Sequence, residues 1–389
     1  MKKLLCVLAL LWAGMMAFAY AEPASSFTVA EDITLDCKIS VSANTKYRKR
    51  MLNEKLDACW PCKQGDTIEI KMPAGKKAQG ICVSFIGEVP ELTVTQGERV
   101  IGTYHDRYYT GYVAFDGCCD ACRVTVRGEG AYKINRLQVF SEGVLPKDAQ
   151  RWTDLDGPAD IMLVATHPDD ELLWFGGMLP TYAGERQLKV IVVNMVGNDT
   201  QRRLEYLNGL WTCGVRYYPE IGSFPDRSGR TPQSTLSLWG EEEPTRYITR
   251  LIRKYKPRIV VTQDIDGEYG HAHHKVTVQA VIDAVTRCAP DPSWDPESAE
   301  QYGDWTPKGL YLHLWNENVI DFDWGAPLEA FDGETSLSVA RRAFRKHVSQ
   351  QKGKYHVNES GKLDSSLFGL YWSGEGPEVD AMDLFEGRE

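Results

Sequence analysis

The sequence lacks an excess of basic residues. Its 389 residues include 44 Lys and Arg against 54 Asp and Glu, a formal net charge of -10 at pH 7. Proteins that bind nucleic acids or anionic membrane surfaces need a basic face to meet the phosphates. The charge balance therefore argues against both as partners, and it suits neutral sugars or amino sugars better.

Long apolar runs are also absent after the start of the chain. Beyond residue 21, no stretch approaches the ~20 apolar residues that a membrane-spanning helix needs. The start itself differs, because Lys2 and Lys3 precede an apolar run at residues 4–18, and residues 19–21 (Ala-Tyr-Ala) are suited to cleavage. We therefore expect residues 1–21 to be a signal peptide, the mature protein to be secreted or periplasmic, and no membrane span to follow.

Cysteine is scarce after residue 142, where only Cys213 and Cys288 occur. The other seven cysteines after the signal peptide are Cys37, Cys59, Cys62, Cys82, Cys118, Cys119 and Cys122. Export to an oxidising compartment favours disulfides among them. Two alternatives stay open: a four-thiolate zinc site built from the two Cys-x-x-Cys pairs, or a redox pair at residues 59–62. The odd count leaves at least one thiol unpaired or intermolecular.

A connector at residues 142–147, with Gly143 and Pro146, divides the chain into two parts that differ in their secondary-structure patterns. Before it, alternating or compact β patterns recur at residues 67–72, 80–85, 123–126 and 133–140, without a convincing helical pattern. We therefore predict an all-β sandwich or jelly roll for residues 22–145. Its candidates for stacking on a glycan are Trp60, Tyr104, Tyr108, Tyr109 and Tyr112, although core packing is the alternative for most of them.

Residues 150–389 are predicted to form an α/β domain with a Rossmann-like, mostly parallel, doubly wound sheet. The predicted strands lie near residues 160–166, 188–195, 215–221, 258–263 and 309–315. Helical patterns lie between or after them, at residues 244–255, 276–285 and 337–349. Strands that alternate with helices indicate this architecture, and ligand sites in such sheets lie beyond the carboxyl ends of the strands.

A polar cluster directly follows the first predicted strand of this domain. Residues 166–171 read Thr-His-Pro-Asp-Asp-Glu. The His167 imidazole and one carboxylate suit a zinc-type ion, while the other carboxylate, at Asp169 or Asp170, is free to take a proton from water. The alternative interpretation is a solvated turn after a strand.

A second polar cluster follows the strand predicted at residues 258–263. Residues 264–274 contain three of the eight histidines of the chain within four positions. His271 and His274 lie three positions apart at a loop-to-helix junction, so one can bind a metal while the other donates a hydrogen bond in the same cavity. We expect His273 to point elsewhere.

With these two motifs, residues 159–350 resemble the LmbE-like, PIG-L type zinc-dependent N-acetyl-sugar deacetylases. In that family a His-Pro-Asp-Asp-Glu motif opens the domain and a later His-x-x-His completes the metal site. The resemblance implies that His167, Asp170 and His274 bind zinc, although iron(II) or another divalent ion suits the same two-His, one-carboxylate set. The β part loosely resembles discoidin-like, galactose-binding-type modules.

The resemblance also implies roles in catalysis and substrate binding. Asp169 would be the general base, His271 would stabilise the oxyanion, and Tyr269 would polarise or gate the substrate carbonyl. Arg202 and Asp226 resemble positions that contact the sugar. Glu205, three residues after Arg202, resembles a sugar-contacting position together with Arg202.

The second motif departs from the family pattern. The family usually shows His-Pro-Asp-His, whereas Ala272 and His273 stand between the two histidines here. Both presumed functional histidines are present, so the departure bears on substrate detail more than on catalysis.

Other segments are assigned by the edge of the sheet at which they should emerge. Residues 289–308, with Trp294 and Trp305, follow a helix and should lie away from the site. Residues 222–243 and 316–335 should lie on the catalytic side, where Trp239, Phe322 and Trp324 either build a sugar pocket or pack as loop core. His347, near the last helix, is interpreted as a buried residue with a structural hydrogen bond.

The sequence therefore predicts a metal-dependent hydrolase that deacetylates an N-acetylated sugar or glycan. Two alternatives stay open. One is an amidase acting on another small amide conjugate, and the other is a non-catalytic glycan-binding or adhesion protein. A retained general base at Asp169 argues against the second, because binding alone requires none. The sequence carries no signal for a particular sugar linkage or oligomeric state.

Overall fold

The computed structural model describes residues 28–227, 230–374 and 383–385. The predicted signal peptide lies outside the described residues. Among the residues described, none forms a helix long and apolar enough to cross a membrane.

The amino-terminal part is a sandwich of two antiparallel sheets. Its strands are β1 (Lys38–Val41), β2 (Trp60–Lys63), β3 (Thr67–Lys71), β4 (Ala78–Phe85), β5 (Glu91–Gln96), β6 (Arg99–Tyr104), β7 (Thr110–Cys119), β8 (Ala121–Arg127) and β9 (Ala131–Ser141). One sheet has the order β1-β3-β8-β5-β6 and the other β2-β9-β4-β7. Inward-facing residues of both sheets, such as Ile68, Val124, Ile81 and Val139, share one apolar core. The predicted all-β region is therefore confirmed.

Three of the five aromatic residues considered for glycan binding are buried in the structure. Trp60 is 0% exposed, Tyr104 is 1% exposed and Tyr108 is 5% exposed, so none of the three offers a free face to a sugar. Tyr109 and Tyr112 are half-buried.

The nine cysteines from Cys37 to Cys288 are all free thiols in the structure. The predicted disulfides are thus not supported. None of these cysteines belongs to a group of metal-ligating side chains in the described part of the chain.

The second part is a mixed α/β unit around a six-stranded sheet. Its strands are β10 (Ile161–Ala165), β11 (Val190–Asn194), β12 (Glu220–Ile221), β13 (Ile259–Thr262), β14 (Gly309–His313) and β15 (Phe368–Ser373), in the order β12-β11-β10-β13-β14-β15. The first five strands in this order pair in parallel, and β15 pairs antiparallel to β14 at the edge. The predicted α/β character of this part is confirmed.

Helices cover both faces of this sheet. They are α1 (Asp170–Leu173), α2 (Thr200–Thr212), α3 (Pro232–Trp239), α4 (Glu243–Tyr255), α5 (Ala272–Asp283), α6 (Pro296–Tyr302) and α7 (Ser336–Phe344). A π-helical segment, Leu179–Glu185, lies between α1 and β11. Alternate strand residues point to opposite faces, so Leu163 packs in the core with α1, α2 and α7, and Met162 in the core with α4 and α5. Buried runs of this kind are typical of strands covered on both sides.

Several predicted bounds need correction. The strand predicted at residues 215–221 is limited to Glu220–Ile221, and the helix predicted to end at residue 349 ends at Phe344. Residues 222–243 were predicted as a loop but contain α3, which begins with a Thr231 capping box and Pro232. Residues 289–308 contain α6.

The two parts are in contact through residues 107–109 of the sandwich. The Tyr109 backbone N–H donates to the Tyr218 hydroxyl at 3.0 Å, and the Arg203 guanidinium lies over the Tyr109 ring at 3.9 Å. The Tyr108 side chain packs within the apolar core of the α/β part. These contacts attach the sandwich next to α2, whose first turn carries Arg202.

Candidate active site

All eight predicted site residues lie at one edge of the sheet. His167, Asp169 and Asp170 follow β10, and Tyr269, His271 and His274 follow β13. Asp226 follows β12, and Arg202 is in the first turn of α2, where the Asp199 side chain caps the helix by accepting from the Arg202 backbone N–H at 2.9 Å. The strands β10, β12 and β13 run in parallel, so their carboxyl ends meet here.

Three ligand atoms converge at the centre of this edge. His167 Nδ1 lies 3.1 Å from Asp170 Oδ2 and 3.2 Å from His274 Nε2, and His274 Nε2 lies 3.2 Å from Asp170 Oδ2. In a tetrahedral site with metal–ligand distances near 2.0–2.1 Å, neighbouring ligand atoms are ~3.3 Å apart. All three side chains are buried. The geometry and the donor set both fit a divalent metal ion with one or more open positions.

Two of these side chains, Asp170 and His274, are held by further buried groups. Trp174 Nε1 donates to Asp170 Oδ1 at 2.6 Å, and the His167 backbone N–H donates to Asp170 Oδ2 at 2.7 Å. His274 Nδ1 lies 2.6 Å from Glu268 Oε2, so the Nδ1 proton points to this carboxylate and Nε2 is left as the ligand atom. The other Glu268 oxygen lies 3.2 Å from His313 Nδ1, at the carboxyl end of β14.

The pKa values of the triad follow from burial and close opposite charges. Burial opposes ionisation of Asp170, but His274 and His167 outweigh it and hold the pKa of this carboxyl well below its usual range. Burial likewise opposes the charged form of His274, yet Asp170 and Glu268 raise its pKa to about 10. The site thus stabilises a carboxylate anion where a cation would sit.

Asp169 has the properties of a general base. Burial and the neighbouring Asp170 raise its pKa to about 7, although Arg202 opposes this rise. Arg202 Nη2 donates to Asp169 Oδ1 at 2.8 Å, and the Asp169 backbone N–H donates to Glu171 Oε2 at 2.8 Å. A carboxyl group with a pKa near the working pH can both take and return a proton.

His271 and Tyr269 border the triad of His167, Asp170 and His274 from one side. Burial and the neighbouring histidines, His274 first among them, lower the pKa of His271 to about 3, so its imidazole is neutral at pH 7. Its Nδ1 is buried without a hydrogen-bond partner in the described ranges. The half-exposed Tyr269 ring lies 5.6 Å from the His271 ring and stacks on Tyr355 at 4.4 Å. Both groups are available to a ligand.

Arg202 and Asp226 lie next to Asp169 and His167, whereas Glu205 does not. Arg202 Nη1 donates to Asp226 Oδ2 at 3.4 Å, and Asp226 Oδ1 is 3.7 Å from His167 Nε2. Glu205 is fully buried and accepts hydrogen bonds from the Ser349 backbone and hydroxyl. The expectation that Glu205 joins Arg202 at the sugar is therefore wrong, because its carboxylate fastens α2 to the segment after α7.

The expectation that His273 points elsewhere is also wrong. Its ring is 1% exposed, and its Nδ1 lies 3.1 Å from His167 Nε2. Helix α5 begins only at Ala272, so His273 and His274 are consecutive residues of its first turn and the His167 ring lies against both.

Four further residues at this edge were not predicted as site residues. They are Glu171, Trp174, His313 and Tyr355. His313 is the last residue of β14, but the strand was predicted to extend to residue 315, so the strand-end rule that located the other residues did not point to it. His347 is buried and its Nε2 lies 2.8 Å from Glu171 Oε1, a hydrogen bond consistent with its predicted structural role. Among the loop aromatics, Trp239 and Trp324 are buried in the two cores of the α/β part.

A cavity of about 780 Å³ lies elsewhere, near the amino end of β11. Its lining includes Val190, Trp211, Arg216 and Phe331, and it contains none of the eight predicted residues. The Arg216 guanidinium covers the Trp211 ring at 4.0 Å, so this ring offers no free face. The convergence of titratable groups, and not cavity size, identifies the candidate active site.

The part of the chain that contains this site is similar to known proteins. Residues 162–285 match the family model described as "PIG-L: GlcNAc-PI de-N-acetylase". The chain is 26% identical over 209 residues to 1D-myo-inositol 2-acetamido-2-deoxy-alpha-D-glucopyranoside deacetylase 1 of Catenulispora acidiphila, covering 46% of this chain and 62% of that protein. It is 26% identical over 278 residues to deacetylase 2 of the same name from Saccharopolyspora erythraea, covering 59% of this chain and 100% of that protein.

Among solved structures, the N,N'-diacetylchitobiose deacetylase of Pyrococcus horikoshii is similar at 19% identity, with a TM-score of 0.37 over 49% of this chain and 71% of that chain. The chain thus spans a little under two thirds of the Catenulispora relative. The family match covers both motifs, from β10 to α5. Residues 162–285 are therefore the part of the chain that is similar to PIG-L proteins.

Proposed function

We propose that this protein is a metal-dependent hydrolase that removes the acetyl group from an N-acetylated sugar or glycoconjugate of the N-acetylglucosamine type. The observation that carries the proposal is the buried triad of His167, Asp170 and His274, with Asp169 beside it at a pKa of about 7. The names of the relatives, which are deacetylases of 2-acetamido-2-deoxy sugars, support the substrate class.

The triad would hold the ion, and we propose zinc. When bound, such an ion supplies Lewis acidity and lowers the pKa of water to about 7. Two imidazoles and one carboxylate also suit iron(II) or cobalt, so metal analysis of the purified protein would distinguish the three ions.

Side chains of the protein carry out the remaining steps. Asp169 takes a proton from the attacking water, and Arg202 holds its carboxylate in place. Attack on the acetamide builds negative charge on the carbonyl oxygen, which the neutral His271 imidazole and the Tyr269 hydroxyl are placed to stabilise. The leaving amine then takes from Asp169 the proton that this carboxylate removed from water, which returns Asp169 to its anionic form. Asp226 and the outer part of Arg202 would contact the sugar.

Acetate release tests the reaction and the substrate together. Purified protein, loaded with zinc or treated with a chelator, is incubated with N-acetylglucosamine and N-acetylgalactosamine mono- and oligosaccharides, and free acetate is measured. We expect release only from the zinc-loaded protein, and almost none from an Asp169→Asn variant that binds the same amount of zinc. If the zinc-loaded protein releases no acetate from any of these sugars, the result would favour an amidase acting on another amide, or a glycan-binding protein.

For the amino-terminal sandwich we propose an exported, discoidin-like module fixed beside the active site. The contact between Tyr109 and Arg203, one residue from Arg202, supports a role in shaping the substrate entrance. A Tyr109→Ala variant should then change KM for chitooligosaccharides more than for the monosaccharide. An equal change for both substrates would contradict this role. Export is tested by the mass of the protein recovered outside the cytoplasm, which should lack residues 1–21.

A further inference from the structure

One contact of the metal-binding triad is not used by the chemistry proposed above. His167 has its Nδ1 at the triad, and its other ring nitrogen, Nε2, lies 3.1 Å from His273 Nδ1. The far nitrogen of that second ring, His273 Nε2, lies 2.9 Å from the backbone carbonyl of Arg227. Three groups thus form a chain from the triad to the segment after β12.

The number of protons available to these hydrogen bonds determines the tautomers of His167 and His273. A backbone carbonyl only accepts, so His273 Nε2 must carry a proton. A neutral imidazole has one N–H, which leaves His273 Nδ1 as an acceptor. The hydrogen bond between the two rings then requires the proton on His167 Nε2. A neutral His167 with its proton there presents a bare lone pair at Nδ1, which is the atom at the triad.

The competing arrangement has a doubly protonated His273 that donates to His167 Nε2. It would place the only proton of a neutral His167 on Nδ1 and thereby block this atom as a ligand. It would also put an imidazolium cation one hydrogen bond away from a bound divalent cation, at a position where His273 is 1% exposed. Like charges in a buried site repel strongly, so the neutral chain is the arrangement compatible with metal binding.

We propose that His273 is a positioning residue that fixes the tautomer and ring orientation of His167, so that Nδ1 is ready to bind the metal. The inference rests on the metal site of the proposed function. Glu268 acts in the same way on the other imidazole, where it takes the Nδ1 proton of His274 and leaves Nε2 as the ligand. Partners of this kind orient ligating histidines, and their loss typically costs about 10–100-fold in metal affinity.

Trp239 keeps His273 in place. The two rings are 4.9 Å apart, and Trp239 Nε1 donates to the Pro225 carbonyl at 3.0 Å, on the same segment that supplies Arg227. The ring of His273 therefore lies between α3 and the segment that carries its acceptor, the Arg227 carbonyl. This arrangement explains why a histidine, with two ring nitrogens on opposite sides, suits the position.

His167, His271 and His273 also form a group that could hold a cation by its spacing alone. The proton assignment argues against a second ion there, because His167 Nε2 carries the proton of the chain and has no free lone pair. A second site predicts two metal equivalents per protein, whereas the positioning role predicts one.

Substitutions at residue 273 separate these possibilities. His273→Asn can place an amide oxygen near the former Nδ1 position and so keep the acceptor for His167. His273→Gln places its amide near the former Nε2 position and keeps only the bond to the Arg227 carbonyl. His273→Leu keeps neither. Zinc affinity and stoichiometry are measured by competition with a chromophoric chelator, with thermal unfolding of the metal-free proteins as the folding control.

We expect one zinc per wild-type chain, with affinity weakened about 10–100-fold in the Leu and Gln variants and within about threefold of wild type in the Asn variant. Histidine ring ¹⁵N spectra of the metal-free wild type should show His167 protonated at Nε2, and this signal should change in the Leu variant. If wild type binds zinc and the Leu and Gln variants bind it equally well, the positioning role is overturned while the metal site stands. Two equivalents in wild type and one in the Leu variant would overturn it in favour of a second ion, and absence of zinc binding by wild type would overturn the proposed function as well.

Discussion

The pair formed by Glu171 and His347 should be a large single contributor to the stability of the active site. Both side chains are 0% exposed, and His347 Nε2 lies 2.8 Å from Glu171 Oε1. The other carboxylate oxygen accepts the backbone N–H of Asp169, whose φ of 122° is unusual for a residue with a side chain. Such a conformation costs about 1–3 kcal/mol and persists only where surrounding contacts enforce it.

We expect His347→Leu to lower the free energy of unfolding by about 3–5 kcal/mol, because it leaves the Glu171 carboxylate buried without its cationic partner. Adding Glu171→Gln to this variant removes the unpaired carboxylate charge, so the double variant should recover part of the lost free energy of unfolding. The coupling free energy between the two positions should be about 1–3 kcal/mol. Folded His347→Leu protein should also deacetylate more slowly, by up to about 10²-fold, because Asp169 is then less firmly held.

Urea unfolding of the four proteins of this cycle measures the coupling, and its pH dependence gives a second check. Burial opposes protonation of His347, but Glu171 raises its pKa above the ordinary 6.5. A pKa raised in the folded state stabilises the protein fully below about pH 6.5, and this contribution is lost as pH rises through the folded pKa. The deficit of His347→Leu should therefore shrink at high pH. A deficit below about 1 kcal/mol at pH 6, or no coupling to Glu171, would refute the reasoning.

Three other predictions concern single residues. Asp169→Asn should lower kcat for acetate release by about 10²–10⁴-fold while zinc stoichiometry stays unchanged, and full activity in this variant would exclude the base role. The hydrogen bond that Asp295 accepts from Arg250 lowers the pKa of Asp295 to about 2 from 3.8. Ionised Asp295 should therefore stabilise the protein by about 1–2 kcal/mol above pH 4, a value reduced because Arg250 is half-exposed. Urea unfolding of Asp295→Asn should show a loss of stability that disappears as pH falls toward 2, and a loss that stays constant with pH would contradict this. Tyr355→Ala should lower kcat/KM by up to about tenfold by removing the stack on Tyr269, whereas Tyr355→Phe should keep it, and equal losses in both variants would point to the hydroxyl instead.

The parallel part of the sheet could be predicted because its strands are continuous apolar runs. The run at β10 reads Ile-Met-Leu-Val-Ala, and every residue in it is buried. Strands of this type alternate with amphipathic helices such as α4, so the position of both motifs at the carboxyl ends of the strands can be predicted from the sequence. β15 was not predicted, because its pattern, Phe-Gly-Leu-Tyr-Trp-Ser, follows a long irregular segment and joins the sheet antiparallel at its edge.

Short elements and buried polar partners were harder to predict, for different reasons. Helix α3 has a readable start at Thr231 and Pro232, but eight residues without a long apolar stripe do not stand out within a loop. Glu205 illustrates the second difficulty. A charged residue one turn beyond Arg202 on a helix is expected to share its face, yet the partner that buries it, Ser349, lies 144 positions away. Local spacing contains no information about such a partner.

His273 shows most clearly what spacing alone leaves out. Spacing places His271 and His274 one helical turn apart and His273 off that face, which would be correct if α5 included all three residues. The helix instead begins at Ala272, so His271 is in extended backbone, and the His167 ring, supplied by another strand, contacts His273 as well as His274. In the His-Pro-Asp-His motif of the family that the sequence resembles, an aspartate occupies this position. The histidine keeps an acceptor for His167 while removing one negative charge, so the departure from the family motif alters the electrostatics next to the metal ligands without removing a ligand.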